Sequence, residues 1–155
     1  MNLPSIIALV EIIITLTIAF LTLISKNRTH LHNLFILMLL CLIIWLFGGM
    51  IGYSVETKEK AIFWFKFASP GFLFLHACTL HFCLVYTGNL PKRRLFLPLL
   101  YLPSVIFFLF SMNRLIVFSD FFRAENIWLG SPAYGDPLFY LIILHYTAYY
   151  ILCFI

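Results

Sequence analysis

Two charged side chains, Glu11 and Lys66, lie inside long apolar stretches of the sequence. Charge is costly in hydrocarbon, so ionisable groups inside membrane segments are rare and tend to serve function. If both stretches are helical, Glu11 lies roughly 12 Å and Lys66 roughly 8 Å from the end of its helix, on the same side of a bilayer. We hypothesise that the two side chains meet, directly or through water, in an outward-facing polar cavity. The alternative is that Lys66 extends its ammonium to the lipid headgroups while Glu11 is protonated or faces another helix.

Three histidines, His76, His81 and His145, also lie within apolar stretches. His76 and His81 are five residues apart, which separates them by about 140° around a helix, so they cannot share one face. Cys78 could share a face with His81, and Cys83 with His76, and a thiolate with an imidazole is a metal-binding combination. We expect no metal site, because a cysteine inside a span usually behaves as a small apolar residue and no CxxC or HExxH spacing occurs. The histidines are expected to form hydrogen bonds between helices, and no cofactor is expected.

Pro70 and Gly71 lie in the middle of one apolar stretch. A proline there removes a backbone hydrogen bond and commonly kinks a membrane helix. The pair is therefore a hinge candidate, and the alternative is a static bend that improves helix packing.

A different kind of segment covers residues 112–137, which are too apolar for a free loop and too charged to span a membrane. We expect this segment, with Trp128, to lie at the outer face of the membrane. It would act there either as an aromatic anchor or as a lid over a ligand pocket.

The elements that position these residues follow from composition. Of the 155 residues, 63% are hydrophobic and 10% are charged, whereas soluble domains are about 45–50% apolar and about 25% charged. A water-soluble surface cannot be built from this composition, so the bilayer is the remaining solvent. A spanning helix needs roughly 20 apolar residues. Five apolar stretches of about that length predict an all-α, polytopic transmembrane helix bundle with spans at residues 3–25, 34–54, 61–86, 95–111 and 138–155.

The basic residues set the orientation of the bundle. Cytoplasmic loops carry an excess of Lys and Arg, and the count favours an N-terminus outside an inner (plasma) membrane. On that topology the inner loops hold Lys26, Arg28, Lys92, Arg93 and Arg94. The longer outer segments hold Lys58, Lys60, Arg114 and Arg123, diluted by acidic residues. The net charge of +4 indicates contact with anionic lipid, and it is too small and dispersed to predict a nucleic-acid partner.

A family resemblance rests on the order of aromatic, glycine and proline residues along the chain. The pattern runs through 44–49 (IWLFGG), 63–66 (FWFK), 68–72 (ASPGF), 81–88 (HFCLVYTG), 101–104 (YLPS) and 134–139 (YGDPLF). It resembles the N-terminal seven-helix sensor region of bacterial histidine kinases, which also precedes PAS and diguanylate cyclase domains in related receptors. The resemblance implies about five of seven spans in this chain, a missing C-terminal portion, an N-terminus outside, and a homodimer in the full-length protein. The fifth stretch also ends without the charged flank that normally follows a span.

The sequence thus predicts one transmembrane sensor domain over residues 1–155, with no soluble domain and no enzymatic activity of its own. Its full-length protein would be a histidine kinase or a diguanylate cyclase, and a small ligand or membrane signal would bias two helix arrangements. Two alternatives stay open. One is a fragment of a small transporter or channel whose path Glu11, Lys66 and the histidines would line. The other is a membrane anchor subunit without a ligand.

Overall fold

The computed structural model describes residues 2–26, 28–91, 95–113, 118–124 and 127–153. Five helices form a bundle, and two strands lie between the fourth and fifth helices, so the predicted all-α membrane bundle is confirmed and a short hairpin is added to it. The helices are α1 (Leu3–Leu23), α2 (His30–Gly52), α3 (Lys58–Tyr86), α4 (Phe96–Asn113) and α5 (Pro137–Cys153). The strands are β1 (Phe118–Ala124) and β2 (Ile127–Pro132).

Helices α1 to α4 are long and apolar enough to cross a membrane. They hold 21, 23, 29 and 18 residues, close to the roughly 20 that a bilayer requires. Helix α5 is equally apolar in character but has 17 residues. Several basic residues used in the topology count, Lys92, Arg93, Arg94 and Arg114, lie outside the described residues.

Helices α2 and α3 begin earlier than hydropathy predicts, because capping residues precede them. Thr29 precedes α2, and its backbone N–H donates to the Nδ1 atom of His32 at 3.1 Å in a capping box. Thr57 precedes α3, and its side chain accepts a hydrogen bond from the Lys60 N–H at 3.4 Å. These contacts satisfy backbone donors that the first helical turn leaves free. The polar first turns are therefore helical although they carry charge.

Helix α3 is the centre of the bundle, since it packs against α2, α4 and α5, whereas α1 packs against α2. Two glycines permit the close approach of α2 and α3. A Cβ atom on Gly48 would lie 2.7 Å from the Ala68 Cβ, and one on Gly71 would lie 2.7 Å from the Trp45 backbone nitrogen. Small residues of this kind let membrane helices approach at backbone distance.

Strands β1 and β2 form an antiparallel hairpin that covers one end of α3. Phe121 and Trp128 from the hairpin are buried with Ala61 of α3 in one apolar cluster. Gly130 on β2 allows this packing, because a Cβ there would overlap the Phe118 ring. The segment that sequence analysis placed at the membrane surface is thus an ordered element docked on the helices over its described residues.

Candidate functional site

The hairpin is fastened to the turn between α2 and α3 by contacts from both strands. The Trp128 indole N–H donates to the Val55 carbonyl at 2.9 Å, and Arg123 donates to the Glu56 carbonyl at 3.3 Å. The guanidinium of Arg123 also lies 5.9 Å from the centre of the Trp128 ring. Trp128, a candidate from the sequence, is therefore 9% exposed and holds the hairpin to the helices.

Charge and aromatic contacts extend this attachment to the first turns of α3. The Lys58 ammonium lies 2.5 Å from the Asp120 carboxylate, and the Phe65 ring stacks on Phe121 with 4.9 Å between ring centres. The hydrogen bond from Lys58, with a further one from the Phe121 N–H, lowers the pKa of the Asp120 carboxyl below its usual value. We call the set Val55, Lys58, Phe65, Asp120, Phe121 and Trp128 the hairpin clamp.

Lys66, the intramembrane lysine, lies below the hairpin clamp and reaches toward α4. Its ammonium donates to the Met112 carbonyl at 3.2 Å. Met112 belongs to the last turn of α4, where carbonyls lack partners within the helix and a cation is favourable. One turn farther along α3, the Ser69 and Ser111 hydroxyls lie 2.9 Å apart. Lys66 therefore caps α4 and ties it to α3.

Glu11 lies on an exposed face of α1, a helix that packs against α2. Within the described residues, the ion pair between Lys58 and Asp120 is present and none joins Glu11 to Lys66. The structure thus does not form the expected direct pair. Depth along a helix can be estimated from sequence, but the direction around its axis cannot, and α1 lies behind α2 as seen from α3.

His76 and His145 meet at the junction of α3 and α5. The His76 ring stacks on Tyr146 with 3.8 Å between ring centres, and its Nδ1 atom donates a hydrogen bond to the Phe72 carbonyl of its own helix at 3.0 Å. The His145 ring lies 4.1 Å from Tyr149 and 5.4 Å from Phe107 of α4. Both rings are thus enclosed by aromatic side chains from neighbouring helices.

His81 lies toward the other end of α3 and forms the start of a polar chain. Its Nδ1 atom lies 3.0 Å from the Tyr101 hydroxyl of α4, and that hydroxyl donates to the Cys78 sulfur at 3.8 Å. The ring of His30, in the first turn of α2, lies 5.9 Å from the His81 ring. Tyr101 was missed by sequence analysis, although a tyrosine inside an apolar span needs a partner for its hydroxyl.

Within the part of the chain that the structure describes, no hydrogen-bond partner is present for three buried polar atoms: His81 Nε2, His145 Nε2 and the Tyr146 hydroxyl. Among the described residues, no group of three or more His, Cys, Asp or Glu side chains is placed to hold a metal ion. The buried polar side chains of α3 contact neighbouring helices singly, as His76 does with Tyr146, or in a chain, as His81 and Cys78 do through Tyr101.

The hinge candidates Pro70 and Gly71 lie within an unbroken α3. Gly71 lies close to the α2 backbone, next to the Cys41 carbonyl and the Trp45 nitrogen. Its lack of a side chain is thus required by packing, and bending at this site stays a prediction.

A family model described as the N-terminal 7TM region of histidine kinase matches residues 7–155. The matched range includes all of the chain except the first turn of α1 and the residues before it. No curated protein and no solved structure matches the chain.

Proposed function

Because this chain belongs to the family of N-terminal 7TM regions of histidine kinases, we propose that it receives a signal at or within the membrane and passes it to a cytoplasmic output domain. The observation that carries the proposal is the hairpin clamp, which attaches a water-accessible element to the central helix of the bundle. Two further spans and the output domain belong, on this proposal, to the full-length protein, which acts as a homodimer.

The N-terminus and the hairpin lie at the same end of the bundle, which supports sensing on the outer side. The Asn2 side chain donates to the Tyr53 carbonyl at 2.7 Å, and Tyr53 directly precedes the turn that the hairpin covers. With the N-terminus outside an inner membrane, as the basic residues favour, the hairpin faces the extracytoplasmic space. A ligand there reaches the clamp without crossing the bilayer.

The mechanism is a two-state rearrangement of α3 relative to its neighbours. The hairpin is joined through the chain to α4 on one side and α5 on the other, and its side chains hold the first turns of α3. A ligand that favours the undocked hairpin releases the outer end of α3 while α4 and α5 are displaced with the hairpin. Ligand binding shifts such an equilibrium only by its difference in affinity for the two states. Pro70 is the proposed position at which α3 bends.

The experiment is a charge swap in the full-length protein, reconstituted in proteoliposomes and assayed for ATP-dependent autophosphorylation. Lys58→Asp and Asp120→Lys should each change the phosphorylation level in the same direction, because each breaks the same ion pair. The double swap restores the pair and should return the level toward that of the wild type. Lys60→Asp is the matched control, since Lys60 lies on the same turn and makes no ion pair among the described residues.

Unchanged phosphorylation in both single variants, with the hairpin shown to be undocked by hydrogen exchange, would refute outer sensing through the clamp. Sequencing the gene beyond the codon for Ile155 tests the output domain separately. Two more apolar segments followed by a phosphoacceptor histidine region are expected there.

A further inference from the structure

Glu11 exposes a carboxyl group near the middle of a membrane-spanning helix. Helix α1 covers Leu3–Leu23, so Glu11 lies roughly 3 Å from its midpoint. The side chain is exposed, and among the described residues it forms no ion pair and no hydrogen bond. The Thr15 hydroxyl, one turn farther along, donates to the Glu11 backbone carbonyl at 2.7 Å, so its proton is not available to the carboxyl. Within the described bundle, the carboxyl group therefore faces hydrocarbon without a partner.

A membrane partner for this group must offer both a donor and an acceptor at the same depth. Hydrocarbon favours a neutral carboxyl over the ion, and a neutral carboxyl has one O–H donor and one carbonyl acceptor. The side chain is too short to reach the headgroups from roughly 12 Å below the outer end of the helix. Lys66 already donates to the Met112 carbonyl and belongs to α3, whereas α1 packs against α2. The partner must therefore come from outside these five helices.

The exposed residues around Glu11 form a seam that suits a second helix. They recur at spacings of four, three and four residues, within about 60° of one helix face. We call them the Glu11 seam: Ile7, Glu11, Ile14 and Ile18. Its isoleucines are 41–54% exposed. The same spacing forms the contact line of two parallel supercoiled helices, where a single polar residue fixes the register. The residues that α1 buries lie on another face, and they are Ser5, Ala8, Ile12, Thr15 and Ala19.

We propose that the Glu11 seam joins the α1 helices of two copies of this chain through a pair of hydrogen bonds between their Glu11 carboxyl groups. Copies inserted in the same direction are related by a twofold axis along the membrane normal, so each Glu11 meets its equivalent at the same depth. Each carboxyl then donates to the other and accepts from it, which satisfies both groups without a charge. This contact rests on the proposed function in that it supplies the homodimer with an interface inside the membrane. It uses no residue of the hairpin clamp, so different variants test the two proposals.

The experiment uses the full-length protein in proteoliposomes at a low ratio of protein to lipid. The photoreactive residue benzoylphenylalanine replaces Ile7 in the seam or, as the matched control, Ile6. The two positions are 49% and 46% exposed, but they lie about 100° apart around the helix. Illumination should join two chains from position 7 and not from position 6, which is read as a product of twice the chain mass on a denaturing gel.

Two substitutions of Glu11 test the hydrogen bonds themselves. Glu11→Leu should lower the yield of joined chains from position 7 by about three- to tenfold, as expected when hydrogen bonds between membrane helices are lost. Glu11→Gln should keep most of the yield, because an amide is also both a donor and an acceptor. Since Glu11 is exposed, neither change disturbs the packing inside one copy.

Equal yields from positions 7 and 6 would overturn the inference, as would a yield from position 7 that Glu11→Leu leaves unchanged. A crosslink from position 7 that stays within one chain would also overturn it, because a further span of the same chain would then cover the seam. The mass of the unilluminated protein in detergent, measured by light scattering, separates this failure from that of the proposed function. A dimer without the crosslink would remove only the α1 contact, whereas a monomer would contradict the proposed homodimer as well.

Discussion

On the orientation proposed above, the first turns of α3 form its outer end and the residues after Pro70 form its inner half, and different kinds of contact hold the two parts. At the outer end, the hairpin clamp combines an ion pair, a stacked ring pair and an indole hydrogen bond at a surface that water reaches. In the inner half, buried hydroxyls and rings join helices without formal charge, as between Ser104 and the Leu73 carbonyl at 3.0 Å. Water competes for the hydrogen-bonding groups of the hairpin clamp, whereas it does not reach the buried contacts between helices. The outer contacts are thus suited to being switched, and the inner contacts are suited to holding the bundle together.

The largest effect is expected from removing the buried indole of the hairpin clamp. Trp128→Ala removes a 9% exposed indole from the cluster that it shares with Phe121 and Ala61. Docking of the hairpin should weaken by about 3–5 kcal/mol, the usual cost of a buried large-to-small aromatic change. Hydrogen exchange of the β1 and β2 amides measures the loss, and the inner half of α3 should keep its protection. Trp128→Phe keeps an aromatic ring of smaller volume and should cost less than the alanine change, including about 1 kcal/mol through the lost hydrogen bond. Equal exchange in both variants would show that packing does not dock the hairpin.

The second largest effect is expected from disturbing the close packing of α2 against α3. Gly71→Ala places a methyl group against the α2 backbone at Cys41 and Trp45, which cannot rotate away as a side chain could. A cost of about 1–3 kcal/mol is expected from such overpacking, measured by thermal unfolding in detergent. Gly135→Ala is the control, since a Cβ there meets no atom within 4 Å. Loss of stability in the control alone would contradict the close approach of α2 and α3.

A smaller effect is expected from a single hydrogen bond in the inner half. Ser104→Ala removes the buried donor to the Leu73 carbonyl between α3 and α4. Interhelical hydrogen bonds in membrane proteins contribute about 0.6 kcal/mol on average, and up to about 1.7 kcal/mol. Thr147→Ala is the matched control, because Thr147 donates within its own helix at an exposed position. The midpoint of thermal unfolding should fall more in Ser104→Ala than in Thr147→Ala. A larger fall in Thr147→Ala would contradict the proposed role of the Ser104 hydrogen bond in holding the bundle together.

The smallest effect is expected from the titration of the clamp. Because Lys58 lowers the pKa of Asp120 in the folded state, the ion pair stabilises hairpin docking at pH values above the unfolded Asp value of about 3.9. This contribution is lost as the pH falls through the lower folded value. Salt at about 1 M should weaken it at neutral pH, since the pair is exposed. Hydrogen exchange of the hairpin at several pH values measures the change, and Asp120→Asn should abolish the pH dependence.

Hydropathy predicted the helices well because apolar length determines a membrane span. The first turns of α2 and α3 were missed because their residues are polar, and their caps at Thr29 and Thr57 do not contribute to hydropathy. The hairpin was missed for another reason. Phe121 is buried against α3 while its neighbour Phe122 is half exposed, so both faces of β1 are apolar and the alternation that marks a strand is weak.

Site residues were predictable by type and depth but not by partner. The sequence shows that Lys66 and Glu11 are costly inside a membrane, yet it does not show that the Met112 carbonyl lies within reach of Lys66. His76 and His81 are buried and His145 is half-buried. Their individual neighbours, such as Tyr101 and Tyr146, depend on how α4 and α5 are rotated about their axes. Packing between helices determines these rotations, and the order of residues in the sequence does not reveal that packing.

The contacts between the start of α1 and the end of α2 have a consequence for biosynthesis. The Ser5 hydroxyl lies 2.5 Å from that of Ser54 and donates to the Met50 carbonyl at 2.8 Å. These bonds close the first pair of helices using residues that a ribosome has made before most of α3 emerges. Helices α1 and α2 can therefore insert into the bilayer as a packed pair, against which α3 then packs. The hairpin clamp is completed only after Trp128 is made, so the end of the bundle that we propose to switch is the last of these parts to assemble.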